Sequence, residues 1–333
     1  MPELIKHAGK PLRSATPYFM TTLLSLLAGP STAIAQDLGQ QVNLRPHWAE
    51  GQSSRYEFWT TQQRTYSIAT SGGHKDSAER TIETTGEITW QVDRIRSDGT
   101  STCTLNIDWI SATFTDHEGQ TRTTDSRKSN GDTKELYALF KAMTSVNLKF
   151  EVGTDGTIES VSGTNAMRRK AKDSETIPED LYFIETASDL ATLVGPPKKL
   201  AIGKNWKTDF KWNYDANFLI HGFLHKNITY TLKSVEELEG IQVATVHGKA
   251  KLKLEPDQTD FPDDAKIDIE LSDSSHETQV IFDLTRSEVI GRNTTEHLTI
   301  DATIRSTQRS VSQRIEETTQ SQVIRISEQQ LKG

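Results

Sequence analysis

ITWQVDRIRSDGTSTCTLNIDWISATF, running from Ile88 to Phe114, has an echo in the second half of the chain. From Ile228 to Leu254 the sequence reads ITYTLKSVEELEGIQVATVHGKAKLKL. Each copy opens on Ile-Thr and an aromatic residue, Trp90 or Tyr230. Each alternates apolar and polar residues into a turn with Gly99 or Gly240, then alternates again. Period-two alternation about a glycine turn is the pattern of a β-hairpin, because successive strand side chains point to opposite faces. The hairpin is therefore used twice, and the rest of the chain supplies its neighbours.

The echo extends in both directions. Upstream, Gly51 is followed six and seven places on by Glu57 and Phe58, and Gly203 by Asp209 and Phe210. Downstream, Phe150-Glu151-Val152 passes through Asp155-Gly156 into Ile158, and Phe282-Asp283-Leu284 passes through Thr285-Arg286 into Val289. Asp-Gly is a two-residue hairpin signal, since both positions accept positive φ. Two units are too few for a solenoid, so the pattern reads as one duplicated β-meander. The final third alternates over 266–284, 289–305 and 310–326, as antiparallel strands with one wet face do. Helix is confined to the middle. Asp132 and Glu135 have capping-box spacing ahead of Leu136, Leu139, Phe140 and Met143 on one face. A second helix is expected from Pro178 to Leu193. Arg168-Arg169-Lys170 and Lys172 read as a solvated helical face or linker, with an anionic-lipid contact as the sharper alternative. The fold expected is mainly β: a long-stranded antiparallel curved sheet or half-barrel, with two or three helices on one side.

Composition limits the chemistry. The chain has 333 residues, 34% hydrophobic and 25% charged, with a net charge of −8. That balance argues against nucleic acid, which calls for a clustered basic face. Cys103 is the sole cysteine, so an internal disulfide and a cysteine zinc cluster are both excluded. Lys6, Lys10 and Arg13, the apolar run Pro17 to Ala28 and the small-residue site Ala33-Ile34-Ala35 have the order of an export signal. The run is shorter than the roughly 20 residues of a bilayer span. The organisation expected is a signal peptide over 1–35, a linker over 36–47, a first repeat with inserted helices over 48–195 and a second repeat over 196–333. The product is expected outside the cytoplasm, in periplasm or medium.

The sequence contains no Gly-x-Ser-x-Gly elbow, phosphate-binding loop or dinucleotide fingerprint, so no catalytic residue, cofactor or enzymatic activity is assigned. His221 and His225 share a helix face at that spacing, but on a strand they stand about 13 Å apart. They are weak metal candidates. Phe218 to Leu224 is a local apolar run where the first half has Gly72 to Asp76. It reads as core or as a lip over an apolar cavity. Candidates to line such a cavity are Phe140, Met143, Leu181, Ile184, Phe218, Leu219, Ile220 and Phe223.

The glycine–acid–Phe start, the Ile-Thr-aromatic hairpin and the segment Phe150 to Gly163 resemble an uncharacterised family of exported bacterial proteins, over roughly Val42 to Ile304. At the level of fold, the pattern is also similar to half-barrel carriers of lipoproteins and lipids in the bacterial envelope. The resemblance implies a non-enzymatic protein that binds an apolar small molecule or lipid. The other reading is a structural or protein-interaction module of the envelope with a fully packed sheet.

Overall fold

The computed structural model describes residues 41–71, 73, 75–128, 134–171, 193–217, 220–238, 240–256, 266–305 and 310–326, all within the compact unit Leu38–Gly333. In chain order the elements are β1 (Gln41–Val42), β2 (Ser53–Thr70), β3 (Lys75–Ile95), β4 (Ser101–Thr115), β5 (Thr121–Asp125), α1 (Lys134–Met143), β6 (Leu148–Val152), β7 (Ile158–Ser162) and α2 (Thr164–Lys170). They continue with β8 (Leu200–Ala201), β9 (Asn205–Asn217), β10 (Ile220–Leu238), β11 (Ile241–Pro256), β12 (Lys266–Asp283), β13 (Glu288–Arg305) and β14 (Ser310–Arg325).

Twelve strands form one antiparallel sheet, curved but not closed into a barrel. Its order is β7-β6-β4-β3-β2-β14-β13-β12-β11-β10-β9, with β5 paired to β4. The two meanders thus lie in tandem in a single sheet, joined by β14. Their local bonding repeats. Gly51 N donates to Val92 O at 2.8 Å, and Gly203 N donates to Leu232 O at the same length. Val92 N bonds Gln52 O, and Leu232 N bonds Lys204 O. A bulge follows each of these residues, at Val92/Arg94 and at Leu232/Ser234. Trp90 faces Ser54 across the ladder, and Tyr230 faces Trp206.

Two details differ from the sequence reading. The Asp155-Gly156 turn is wider than a two-residue loop. Gly153 N bonds Thr157 O, and only Gly156 among Thr154, Asp155 and Gly156 has positive φ, at 83°. This is the three-residue hairpin in which a left-handed residue makes a bulge before the returning strand. In the second meander Ser287 takes the corresponding left-handed place, with φ 55°, just before Glu288. The register also shifts one equivalence by two residues. Cys103 pairs with Phe150 while Val246 pairs with Val280, so Phe150 corresponds to Val280 and not to Phe282.

One face of the sheet carries the buried side chains, gathered into three clusters. On the first meander Trp90, Leu105, Phe150 and Val152 form a cluster capped by Leu139, Phe140 and Met143 of α1 and Met167 of α2. Trp48 and Phe150 flank the Trp90 ring, with centroids 6.1 and 5.7 Å away. Each such fully buried side chain contributes about 1.5–3 kcal/mol. The basic run Arg168-Arg169-Lys170 forms the last turn of α2, with Met167 of the same helix buried. Asp132 and nearly all of the expected helix from Pro178 lie outside the described residues; Leu193, at its end, is 1% exposed. The stretch read as a linker enters the core: Val42 and Leu44 are buried with Leu193, Leu200, Trp206 and Phe282 on the second meander. A third cluster joins Tyr214, Leu224 and Leu254 of β9–β11 to Leu298, Ile300 and Ile315 of β13 and β14.

Candidate functional site

The buried face carries charges as well as apolar groups, and their partners show how the sheet rolls. Lys226 on β10 and Glu296 on β13 form a buried ion pair, although β11 and β12 lie between them. His276 Nδ1 lies 2.8 Å from the same Glu296 oxygen. Tyr214 on β9 donates its hydroxyl to Glu317 Oε2 on β14 at 3.4 Å, across four intervening strands. Arg64 on β2 pairs with that carboxylate, Gln62 Nε2 donates to it at 2.7 Å, and Arg64 donates to Tyr66 Oη at 3.1 Å. A flat sheet separates neighbouring strands by about 4.8 Å, so contacts over two or four strands require the second meander to curl onto itself. Burial alone would raise the Glu296 carboxyl, but Lys226 and His276 outweigh it and hold it below the ordinary carboxylate range. Burial likewise lowers Arg64, yet Glu317 more than restores it, so the guanidinium stays charged.

A further polar group sits where the two meanders meet. Glu288 at the start of β13 accepts from Ser54 Oγ of β2, from Arg286 Nε at 2.6 Å and from Arg325 of β14. Arg325 also reaches Asp283 at 3.3 Å, and the other Asp283 oxygen accepts from Thr285 N and Arg286 N. Trp48 Nε1 donates to Ser287 O at 2.7 Å. Ser287 Oγ touches the His47 ring, a pairing used by activated nucleophiles. However, Ser287 is 0% exposed, and His47 Nδ1 faces the Arg45 carbonyl at 3.0 Å, so no substrate has access to that hydroxyl. Cys103 is also fully buried; burial, followed by Asp93 and Glu151, pushes its thiol up, which keeps it protonated and unreactive.

Of the residues expected to line a cavity, Phe140, Met143 and Phe223 have described surroundings. Phe140 and Met143, each 6% exposed, belong to the filled cluster beneath α1. Leu181, Ile184, Phe218 and Leu219 lie outside the described residues. Ile220 and His221 begin β10. Phe223 is half-buried on the other face of β10, with Lys211 Nζ 4.0 Å from its ring centre. His225 Nε2 meets Glu255 Oε2 at 2.8 Å, and no group of three potential metal ligands occurs among the described residues. The described residues do include a cleft of about 610 Å³ at the ends of β3, β2, β14 and β13, lined by Ile68, Lys75, Asp76, Asp301, Gln313 and Arg314 among others. Its walls are mixed, with Ile68, Ala69 and Ala302 among polar and charged side chains. The buried ionic groups were missed in the sequence because each partner, taken alone, reads as the polar member of an alternating strand. The available signal was their position, since Lys226 and Glu296 share the parity of their apolar neighbours Ile228 and Leu298.

Residues 98–181 match the model of a family of unknown function, DUF6263. The match runs from the β3–β4 turn through α2, within the first meander. A search of curated proteins gives no match. Among solved structures, one concerned with lipid–protein interactions in lipovitellin is a distant likeness, with TM-score 0.42 and 10% identity over 84% of this chain and 26% of that one. The chain therefore spans about a quarter of lipovitellin's length. Pseudomonas aeruginosa OpdQ gives TM-score 0.23 and 8% identity, over 82% of this chain and 99% of that one. The translocator domain of the autotransporter NalP from Neisseria meningitidis gives 0.13 and 13%, over 82% and 89%. No helix among the described residues is long and apolar enough to cross a membrane.

Proposed function

We propose that this chain is an exported, non-catalytic interaction module, whose inner sheet face is taken up by its own folding and whose outer face meets a partner. The observation that supports this reading most is the filling of the inner face. Three apolar clusters and the buried groups around Glu288, Glu296 and Glu317 occupy much of it. Leu238, at 38%, is the only large hydrophobic side chain exposed among the described residues. A carrier of apolar molecules needs an apolar cavity open to its ligand, and Phe140 and Met143, expected to line one, are packed into a buried cluster.

A second reading has one observation in its favour. The apolar face of the first meander is covered by two short helices, of 10 and 7 residues, and not by a second sheet. Displacing α1 would bare Trp90, Leu105 and Phe150 to an apolar ligand. The two readings separate on titration of the full chain with a fluorescent apolar probe such as N-phenylnaphthylamine. The module reading expects no saturable binding, and cross-linking in cells then captures a protein partner. Saturable binding near one probe per chain that is lost in Phe140→Asp, with the melting curve retained, would replace it with the carrier reading.

A further inference from the structure

The two meanders share a topology but carry opposite charges on the face that points away from the core. On the second meander, Lys249, Lys251 and Lys253 occupy successive outward positions of β11, and all three are exposed. Lys207 and Lys211 on β9 belong to the same outward rows: Lys207 and Lys249 flank Thr229, while Lys211 and Lys253 flank His225. The acidic groups beside these lysines are already engaged. Asp209 accepts from Asn227, Glu255 takes His225 and Lys211, and Glu277 takes Lys249. Lys251 and Lys253 have no ion-pair partner among the described residues. In a chain of net charge −8, this is a local reversal of sign.

The corresponding face of the first meander is acidic. Glu79, Glu83 and Glu87 stand four residues apart on β3, and Glu57 on β2 lies directly opposite Glu87. Like charges facing each other across a ladder are destabilising. Arg55 relieves part of this, bonding Glu87 at 2.6 Å and reaching Asp108 at 3.8 Å. Glu57 and Glu83 have no ion-pair partner among the described residues. The two faces also match in spacing. Lys249 to Lys253 and Glu83 to Glu87 each cover four residues of strand, about 13 Å.

We propose that the lysine face of β9–β11 docks on the glutamate face of β2–β3 of a second copy of this chain. This rests on the interaction-module reading and names its partner. Because the two patches are different surfaces, the contact is heterologous: it propagates head to tail, and does not pair one patch with itself. It joins exposed charges, so salt weakens it.

The test is sedimentation velocity on the full chain at about 20 mM and about 500 mM salt, on either side of the screening regime. Species larger than monomer are expected at low salt and monomer at high salt. Lys249→Glu/Lys251→Glu/Lys253→Glu alone, and Glu79→Lys/Glu83→Lys/Glu87→Lys alone, each lose self-association at low salt. An equimolar mixture of the two regains a heterocomplex, because one variant keeps the lysine face and the other keeps the glutamate face. If either triple variant melts early, Lys251→Gln/Lys253→Gln and Glu83→Gln are read in the same way. A monomer at low salt overturns the proposal, as does self-association that survives both reversals. Binding of the lysine face to phosphatidylglycerol vesicles without self-association also overturns it and assigns that face to lipid headgroups. In either failure the module reading stands or falls separately, on the probe titration and on cross-linking to some other protein.

Discussion

The first meander buries its inner face under helices, whereas the second buries it against itself. In the first, Trp90 lies between Trp48 and Phe150 and α1 closes the cluster, which is almost wholly apolar. In the second, Trp206 stacks on Tyr230 at 5.1 Å, and farther along the strands the face turns polar, with Lys226 and His276 buried against Glu296, and Glu317 of β14 paired with Arg64 of β2. One strand plan has therefore been completed in two ways. A helical cap needs no charge on the sheet. A rolled sheet brings distant strands together, and paired charges can fix which strands meet.

The largest predicted effects separate these two solutions. Phe150→Ala should cost about 3–5 kcal/mol through the cavity it leaves, and denaturant unfolding should show that loss equally at neutral and mildly acidic pH. Lys226→Met should cost about 3–5 kcal/mol by removing the lysine charge from Glu296 and leaving it His276 alone. Its loss should shrink on acidification, when Glu296 takes up a proton. If Lys226→Met cost the same at every pH, the ionic account of the second meander would be wrong.

Acid should act on the second meander first. Glu296 is held below its ordinary range, so its contribution is complete above the unfolded carboxylate value of about 4.3 and is lost as pH falls through the lower folded value. Hydrogen exchange at about pH 3 should show β10 and β13 opening before β4 and β6, and simultaneous opening would remove the distinction.

Next come the glycines beneath aromatic rings. A Cβ on Gly86 would lie 2.5 Å from the Trp109 carbonyl oxygen and 2.6 Å from the Phe58 ring. One on Gly248 would meet Thr278 Cγ2 at 2.6 Å and Tyr230 at 2.8 Å, both side chains. Gly86→Ala should therefore cost more than Gly248→Ala, within the overpacking range of about 1–3 kcal/mol. Chemical denaturation that ranks them in reverse would mean that the second sheet face packs more rigidly than the first.

The smallest contrast is at the returning turns. Gly156→Ser must adopt positive φ with Leu193 O 2.5 Å from its Cβ and should destabilise the fold. Ser287→Gly relieves a left-handed serine but gives up the His47 contact, so it should stay within about 1 kcal/mol of the parent. Paired thermal melts would decide this.

How far these features could be read in advance follows from their range. Alternation is local, so the doubled hairpin at Ile88 and Ile228 and the long strands of the final third were legible, whereas β3 over 75–87 has too few apolar residues to show its alternation. The turn at Asp155-Gly156 was legible as a turn but not in its width, because Gly153 closes it by pairing with Thr157. α2 was legible only as a basic run, since seven residues carry little periodicity. The candidate site depended on contacts between distant strands, and nothing in the neighbourhood of Lys226 names Glu296 as its partner. The lining candidates Phe140 and Met143 have the right chemistry for either a cavity or a core, and only their neighbours show that they belong to a filled cluster.

The roll of the second meander is tested most directly by a double-mutant cycle on Lys226→Met and Glu296→Leu, read by denaturant unfolding. Two strands lie between the two positions, so in a flat sheet they would act independently. The account predicts a coupling of about 2–3 kcal/mol, with the double variant far more stable than the sum of the singles allows. Losses that add to within about 0.5 kcal/mol would contradict it.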